Sequence, residues 1–283
     1  MPNYRPSWFA RWFKPKHQEL TAQSAQEIRA LLRRYVMPRY AQHHEQVQTE
    51  PTQAEQAYSD ILSSLLQART QDGQHLSVEE LVNEIAVLFL AGHETSASAL
   101  SWSLYFLAQS PEVQKRVHEE VDQVIGTSEL TLAHLNQLNL TRRVFRETLR
   151  LYPPLGFLVR EASAAGCLRD QHIPTGSTIV ISPWLIHRHR EFWERPDEFD
   201  PDRFLTDAGR ASAATAFLPF SLGARVCVGA GFALQEAALA LAAVMREFSV
   251  QPIADHEPMP IARLSLRSDI GVKLILTLRQ STG

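Results

Sequence analysis

Cysteine is scarce in this chain: two of 283 residues, Cys167 and Cys227. Two cysteines cannot build a disulfide framework. Their scarcity suits a reducing compartment, so a cytoplasmic setting is expected, with an upstream membrane anchor left open. Neither sign of charge dominates. The 28 Lys+Arg stand against 31 Asp+Glu, a formal net charge of -3, which lacks the basic footprint of a nucleic-acid binder. Long apolar runs are missing too. The longest, residues 85–91 and 237–244, fall far short of a membrane span and read as core helix. No apolar segment follows Met1-Pro2-Asn3-Tyr4, so no signal peptide is expected. There are no internal repeats, no low-complexity tracts and no flavin or nicotinamide fingerprint. What is present in quantity is apolar residue, 45% of the chain, enough for a sizeable core.

One of the two cysteines sits in an unusual setting. Phe220-Ser-Leu-Gly223-Ala-Arg225-Val-Cys227-Val-Gly229 holds it between two glycines, with an arginine two residues before and an apolar, helix-like run directly after. A lone free cysteine is usually buried and inert. Here loop N–H groups can hydrogen-bond the sulfur, and the helix opening near Gly229 aims its positive end at it; both favour a thiolate that binds metal. Gly223 and Gly229 permit positive φ and close approach to a flat ligand.

These ten residues resemble the cysteine loop of the cytochrome P450 family, the haem-thiolate monooxygenases. The resemblance implies that Cys227 is the axial ligand of haem iron in haem b (iron protoporphyrin IX). It implies further that Phe220, Gly223 and Gly229 shape the cofactor seat and that Arg225 pairs with a haem propionate. A thiolate ligand pushes electron density onto iron and favours O–O cleavage.

Ala91-Gly92-His93-Glu94-Thr95-Ser96 lies midway along a long apolar stretch. Glycine in a helix marks close approach or distortion, and the Thr95 hydroxyl can bond back to the Ala91 carbonyl. His93-Glu94 also begins like a zinc-protease motif, but position 97 is Ala where a second His is required. The run is similar to the family's acid–alcohol motif. That implies Thr95 hydrogen-bonds dioxygen and Glu94 assists proton delivery.

Glu147-Thr-Leu-Arg150 places two opposite charges on one helix face. Alone it is a commonplace surface pair. With Pro153-Pro154 following and Pro201-Asp202-Arg203-Phe204 downstream, it resembles the family's Glu-x-x-Arg helix and Pro-x-Arg-Phe segment. The resemblance implies a buried structural triad of Glu147, Arg150 and Arg203. It also makes Arg160 a second propionate-binding arginine, and sets residues 155–159 and the turn near Leu266 along a substrate pocket.

The expected organisation is a mainly α fold with a minor β portion, P450-like, forming a single haem-binding domain over residues 1–283. Helices are expected at residues 18–44, 58–68, 77–109, 111–126, 138–152 and 229–248. The long third helix reads as buried on all sides. Ser77-Val-Glu-Glu80 should cap it as a capping box. Residues 43–56 read as loop, 157–182 as strands with a hairpin turn at Pro174-Thr175-Gly176, 183–219 as loop, and 264–278 as two strands around Ser268–Gly271. Trp8, Phe9, Trp12 and Phe13 form an aromatic cluster suited to packing against the core.

The family's catalytic domain is markedly longer, so the expectation is that its N-terminal part is lacking here. The implied activity is insertion of one atom of dioxygen into a small apolar organic substrate. Electrons would come from NAD(P)H only indirectly, through a ferredoxin or flavoprotein reductase. Two other readings stand beside it: a truncated haem-binding remnant or half of a split enzyme, and a peroxide-driven haem peroxygenase.

Overall fold

The computed structural model describes residues 16–49, 60–263 and 265–279, and the side chains of residues 21–45 within the first stretch. The aromatic cluster at residues 8–13 lies outside them, as do Tyr58 and Leu264. Two compact units divide the chain, residues 1–91 and 92–283.

In the first unit, helix α1 (Lys16–Thr49) is longer than expected. Residues 43–49, polar enough to read as loop, continue the helix, because helix propensity of Gln, Glu and His needs no apolar face to persist. Pro38 sits inside it and removes one backbone donor. Helix α2 (Ile61–Gln67) is capped by Asp60, whose side chain accepts from Ser63 N–H. Arg39 clamps the same carboxylate through two bonds of 2.9 and 3.1 Å. That pairing holds the Asp60 carboxyl below the usual carboxylate range. Val36, Leu66, Leu81 and Val82 form the buried centre of this unit.

Helix α3 (Val78–Gln109) carries residues of both units. Its start is the expected capping box: Ser77 N–H donates to Glu80 Oε2 at 2.8 Å, and Glu80 N–H to Ser77 Oγ at 3.3 Å. The expectation of burial on all sides holds only for its later turns. Ala99, Trp102, Ser103 and Leu107 are buried, whereas Val87, Phe89 and Leu90 are exposed.

The second unit is built on α4 (Pro111–Val124), α5 (Asn139–Leu151) and α8 (Ala230–Glu247), which pack on one another. Pro111 takes the first helical position, where its missing N–H costs nothing. Gly126, at φ 53°, closes α4 by donating to Val121 O. The core gathers Val117, Val121, Val144, Phe145, Leu149, Leu241 and Met245. Gln114 is buried among them and fully used: its amide donates to Leu107 O and Val250 O and accepts from Val250 N–H.

Among the described residues the strands form four antiparallel pairs, not a continuous sheet. Strands β1 (Leu158–Glu161) and β4 (Thr178–Ile181) pair, with β2 (Gly166–Leu168) and β3 (Gln171–Ile173) as a hairpin between them. The hairpin turn is therefore Arg169-Asp170, with Arg169 at φ 51°. Pro174-Thr175-Gly176 instead links β3 to β4, which do not pair. Gly176 at φ 80° makes it a type II turn. At the C-terminal end the two expected strands are present, β7 (Leu266–Ser268) and β8 (Leu274–Leu278), and each pairs with a different partner. β6 (Pro260–Ala262) takes β7, and β5 (Phe248–Pro252) takes β8.

Residues 183–219, expected as loop, hold helix α6 (Pro183–Ile186), a 3-10 turn (Pro201–Leu205) and helix α7 (Asp207–Ala216). Proline opens the first two, with Ser182 and Asp200 as caps. Gly209 at the start of α7 is required by close approach. A Cβ there would lie 1.8 Å from Arg203 O.

Candidate active site

The cysteine loop is tied down at both ends. Cys227 N–H donates to Phe220 O at 2.9 Å, and Ala233 N–H donates to Gly229 O at 2.9 Å as α8 begins. Between them a 3-10 turn (Gly223–Arg225) reverses the chain, with Gly223 at φ 69°. Ser221, at φ 63°, is a non-glycine residue in the same left-handed region, a conformation that costs energy unless neighbours impose it. Phe220 packs on the main core, so the loop is rooted there. The Cys227 thiol is exposed at the N-terminal end of α8. A Cβ on Gly229 would come within 3.9 Å of that sulfur, and one on Gly223 would meet nothing within 4 Å.

Two sequence-predicted arginines lie on this loop surface. Arg160 on β1 donates through Nη2 to Ser221 Oγ at 2.9 Å, which joins β1 to the cysteine loop. Arg225 is exposed. Neither has a carboxylate partner among the described residues. Leu222, Val226, Val228 and Phe232 also stand exposed around the thiol, Val228 at 88%. An accessible thiol, an apolar rim, glycines that leave room and two arginines lacking counter-charges suit a flat apolar macrocycle bearing carboxylates. The donor set therefore fits haem.

Upstream of the loop, His187 is the anchor. It is fully buried. Its Nε2 accepts from Leu218 N–H at 2.7 Å, so its Nδ1 carries the proton and donates to Arg150 O at 3.0 Å. One imidazole thus ties the end of α5 to the strand of chain that enters the cysteine loop. Burial pushes its pKa down to about 4, with the Arg150 and Arg188 charges adding in the same direction. Below about pH 6.5 the unfolded chain takes up a proton that folded His187 refuses until about pH 4. Stability is then full above pH 6.5 and falls across that window, by about 3 kcal/mol in all. Urea unfolding followed from pH 7 to pH 4 should show this slope, and His187→Gln should flatten it. An unchanged slope in the variant would remove His187 from the pH response.

The predicted triad is assembled and buried. Arg150 Nε and Nη2 grip the two Glu147 oxygens at 2.9 Å each, and Arg203 Nε reaches Glu147 Oε1 at 2.9 Å. Asp200 N–H adds a fourth donor at 3.0 Å. The remaining Arg150 hydrogens go to His187 O, Pro196 O and Glu198 O. Arg203 binds Glu194 O, Arg195 O and Glu198 O. All Arg150 donors are satisfied, which is what permits the charges to be buried.

On α3, Thr95 Oγ1 donates to Gly92 O at a long 3.5 Å, and no side-chain atom stands within 4 Å of where a Cβ on Gly92 would be. Glu94 is half-buried. Its Oε1 accepts from Ser265 Oγ at 2.6 Å. No hydrogen bond among the described residues joins Glu94 to the cysteine loop. Leu155, Phe157 and Val159, expected to line a pocket, are exposed, whereas Leu266 is buried and held by a 2.7 Å bond from its N–H to Pro154 O. Ser265, Ser221 and His187 were not anticipated. A serine and a histidine with no spacing pattern carry no signal until the fold places them.

The family model "Cytochrome P450" matches residues 1–274, and the chain belongs to the cytochrome P450 family. It is 41% identical to cytochrome P450 4A14 of Rattus norvegicus over 77% of this chain and 43% of that protein. It is 36% identical to the pentalenene oxygenase of Streptomyces avermitilis, over 83% of this chain and 53% of that one. A crystal structure of a cytochrome P450 (CYP102L1) superposes with a TM-score of 0.82 at 26% identity, covering 99% of this chain and 60% of the other. The chain spans about half the length of the curated relatives it matches.

Proposed function

We propose that this chain carries the haem-thiolate centre of a monooxygenase. The observation that supports it most is the accessible Cys227 thiol between two glycines at the start of α8, with Arg225 on the same loop and Arg160 bonded to its Ser221, neither having a carboxylate partner among the described residues. Residues 1–283 act in this reading as one haem-binding domain, in a reducing, cytoplasmic setting. Haem b, which Cys227 would hold with Phe220, Gly223 and Gly229 shaping its seat, would supply redox-active iron for oxygen chemistry. Arg160 and Arg225 neutralise its propionates. Arg160, now bonded to Ser221 Oγ, would gain a stronger, charge-assisted partner in such a propionate.

The balance is that of a mixed-function oxidation. An apolar substrate R–H, dioxygen, two electrons and two protons give R–OH and water. The electrons come from NAD(P)H through a separate ferredoxin or flavoprotein reductase. That one relative is a pentalenene oxygenase agrees with this chemistry. Glu94 takes protons from solvent, and the Thr95 hydroxyl orients dioxygen and passes a proton at Oγ1. Both side chains are half-buried on α3, which leaves them within reach of water.

Thr95→Ala tests the proton route. Product formed per electron consumed should fall about tenfold, with hydrogen peroxide accounting for the difference, while substrate affinity stays unchanged. Tightly coupled turnover in Thr95→Ala would contradict the role.

A further inference from the structure

The turn before β7 is fastened to helix α3 by two consecutive residues. Ser265 Oγ donates to Glu94 Oε1 at 2.6 Å, and Leu266 O accepts from Ser98 Oγ at 2.5 Å. Glu94 and Ser98 are one helical turn apart, so both bonds leave the same face of α3. Leu266 N–H then ties the turn to Pro154 O at 2.7 Å, and Arg263 N–H closes it on Ser265 O at 3.1 Å. Ser265 is 4% exposed, so its hydroxyl is not exchanging with bulk water. A 2.6 Å O–H···O contact has the length of a charge-assisted bond to an ionised carboxylate. No bond from the described residues occupies the other Glu94 oxygen.

We propose that Ser265 is a positioning residue for Glu94. Its hydroxyl takes Oε1 and fixes the carboxylate rotamer, leaving Oε2 as the oxygen that receives and releases protons beside Thr95. This rests on the proton-delivery reading above. A free glutamate on a helix samples several rotamers, and a carboxylate turned to solvent cannot hand a proton along the helix. The bond from the buried Ser265, next to the backbone-anchored Leu266, removes that freedom, and the Ser98 and Pro154 bonds to Leu266 hold the segment without the Ser265 hydroxyl. Loss of the one hydroxyl therefore leaves the turn in place.

Infrared difference spectra of the chain, with the Glu94 carboxylate stretch assigned by its disappearance in Glu94→Gln, report the bond directly and need no turnover. Ser265→Ala should shift that band and Ser265→Thr should restore it. In the haem-loaded protein, Ser265→Ala should lower product per electron about fivefold at unchanged substrate affinity, the size of one hydrogen bond's contribution, with recovery in Ser265→Thr. An unshifted band in Ser265→Ala overturns the proposal. So does a shifted band with coupling intact while Glu94→Gln uncouples. If Glu94→Gln itself leaves coupling intact, the proton-delivery reading fails and the positioning role falls with it. A persisting band shift would then show that the failure lies in the chemistry and not in the bond.

Discussion

Glu147→Ala should destabilise the fold by about 3–5 kcal/mol, the cost of leaving buried charge without its partner. Arg150 is fully buried and Arg203 is 5% exposed, and both aim their Nε donors at this one carboxylate. Removing it leaves two guanidinium groups in the interior with only carbonyl acceptors. Against a typical domain stability of about 5–15 kcal/mol, that loss removes roughly a fifth or more of the margin. The effect should be directional as well as large. Arg150 and Arg203 together organise the carbonyls of residues 187–198, and His187 couples that segment to Leu218 and the cysteine loop. Glu147→Ala should therefore loosen the cysteine loop before it melts the helices. Urea midpoints give the size, and amide exchange at Leu218 and Cys227 gives the order. A shift below about 1 kcal/mol would place the triad among ordinary surface pairs. The double variant Glu147→Ala/Arg203→Ala should lose less than the sum of its parts, because the second change removes a charge the first has orphaned.

The triad shows what could be read ahead of the structure. Glu147, Arg150 and Arg203 were legible only through the resemblance of Glu147-x-x-Arg150 and Pro201-x-Arg203-Phe204 to the family's segments, since an i, i+3 charge pair by itself is commonplace. Their carbonyl partners were not, since a backbone acceptor has no residue identity. The two short helices at Pro183–Ile186 and Asp207–Ala216 were hidden by proline, arginine and aromatic content that reads as loop. Their signals were present all the same, in Ser182-Pro183 and in Thr206, whose side chain accepts from Gly209 N–H. The two strands of residues 264–278 were legible from alternation, but their partners β6 and β5 were not, because pairing is non-local and alternation in one segment does not name its partner. At the candidate site, Cys227 and Arg225 stood out through spacing. Ser265 did not, because it lies 171 residues from Glu94 and only folding joins them.

Cys227→Ser carries the other large effect. An alcohol is a far weaker ligand than a thiolate and cannot push comparable electron density, so monooxygenation should be lost outright in the variant. The fold should persist. Cys227 is exposed, its backbone N–H still reaches Phe220 O, and its side chain supports no core contact. Near-native stability with abolished turnover is the expected pairing. A comparable loss of stability would recast Cys227 as structural.

The most direct test is the visible spectrum of this chain loaded with haem, reduced and exposed to carbon monoxide. Thiolate ligation by Cys227 predicts a strongly red-shifted Soret band that disappears in Cys227→Ser. A band typical of imidazole-ligated haem, or one unchanged by Cys227→Ser, would contradict the assignment of Cys227 as the iron ligand.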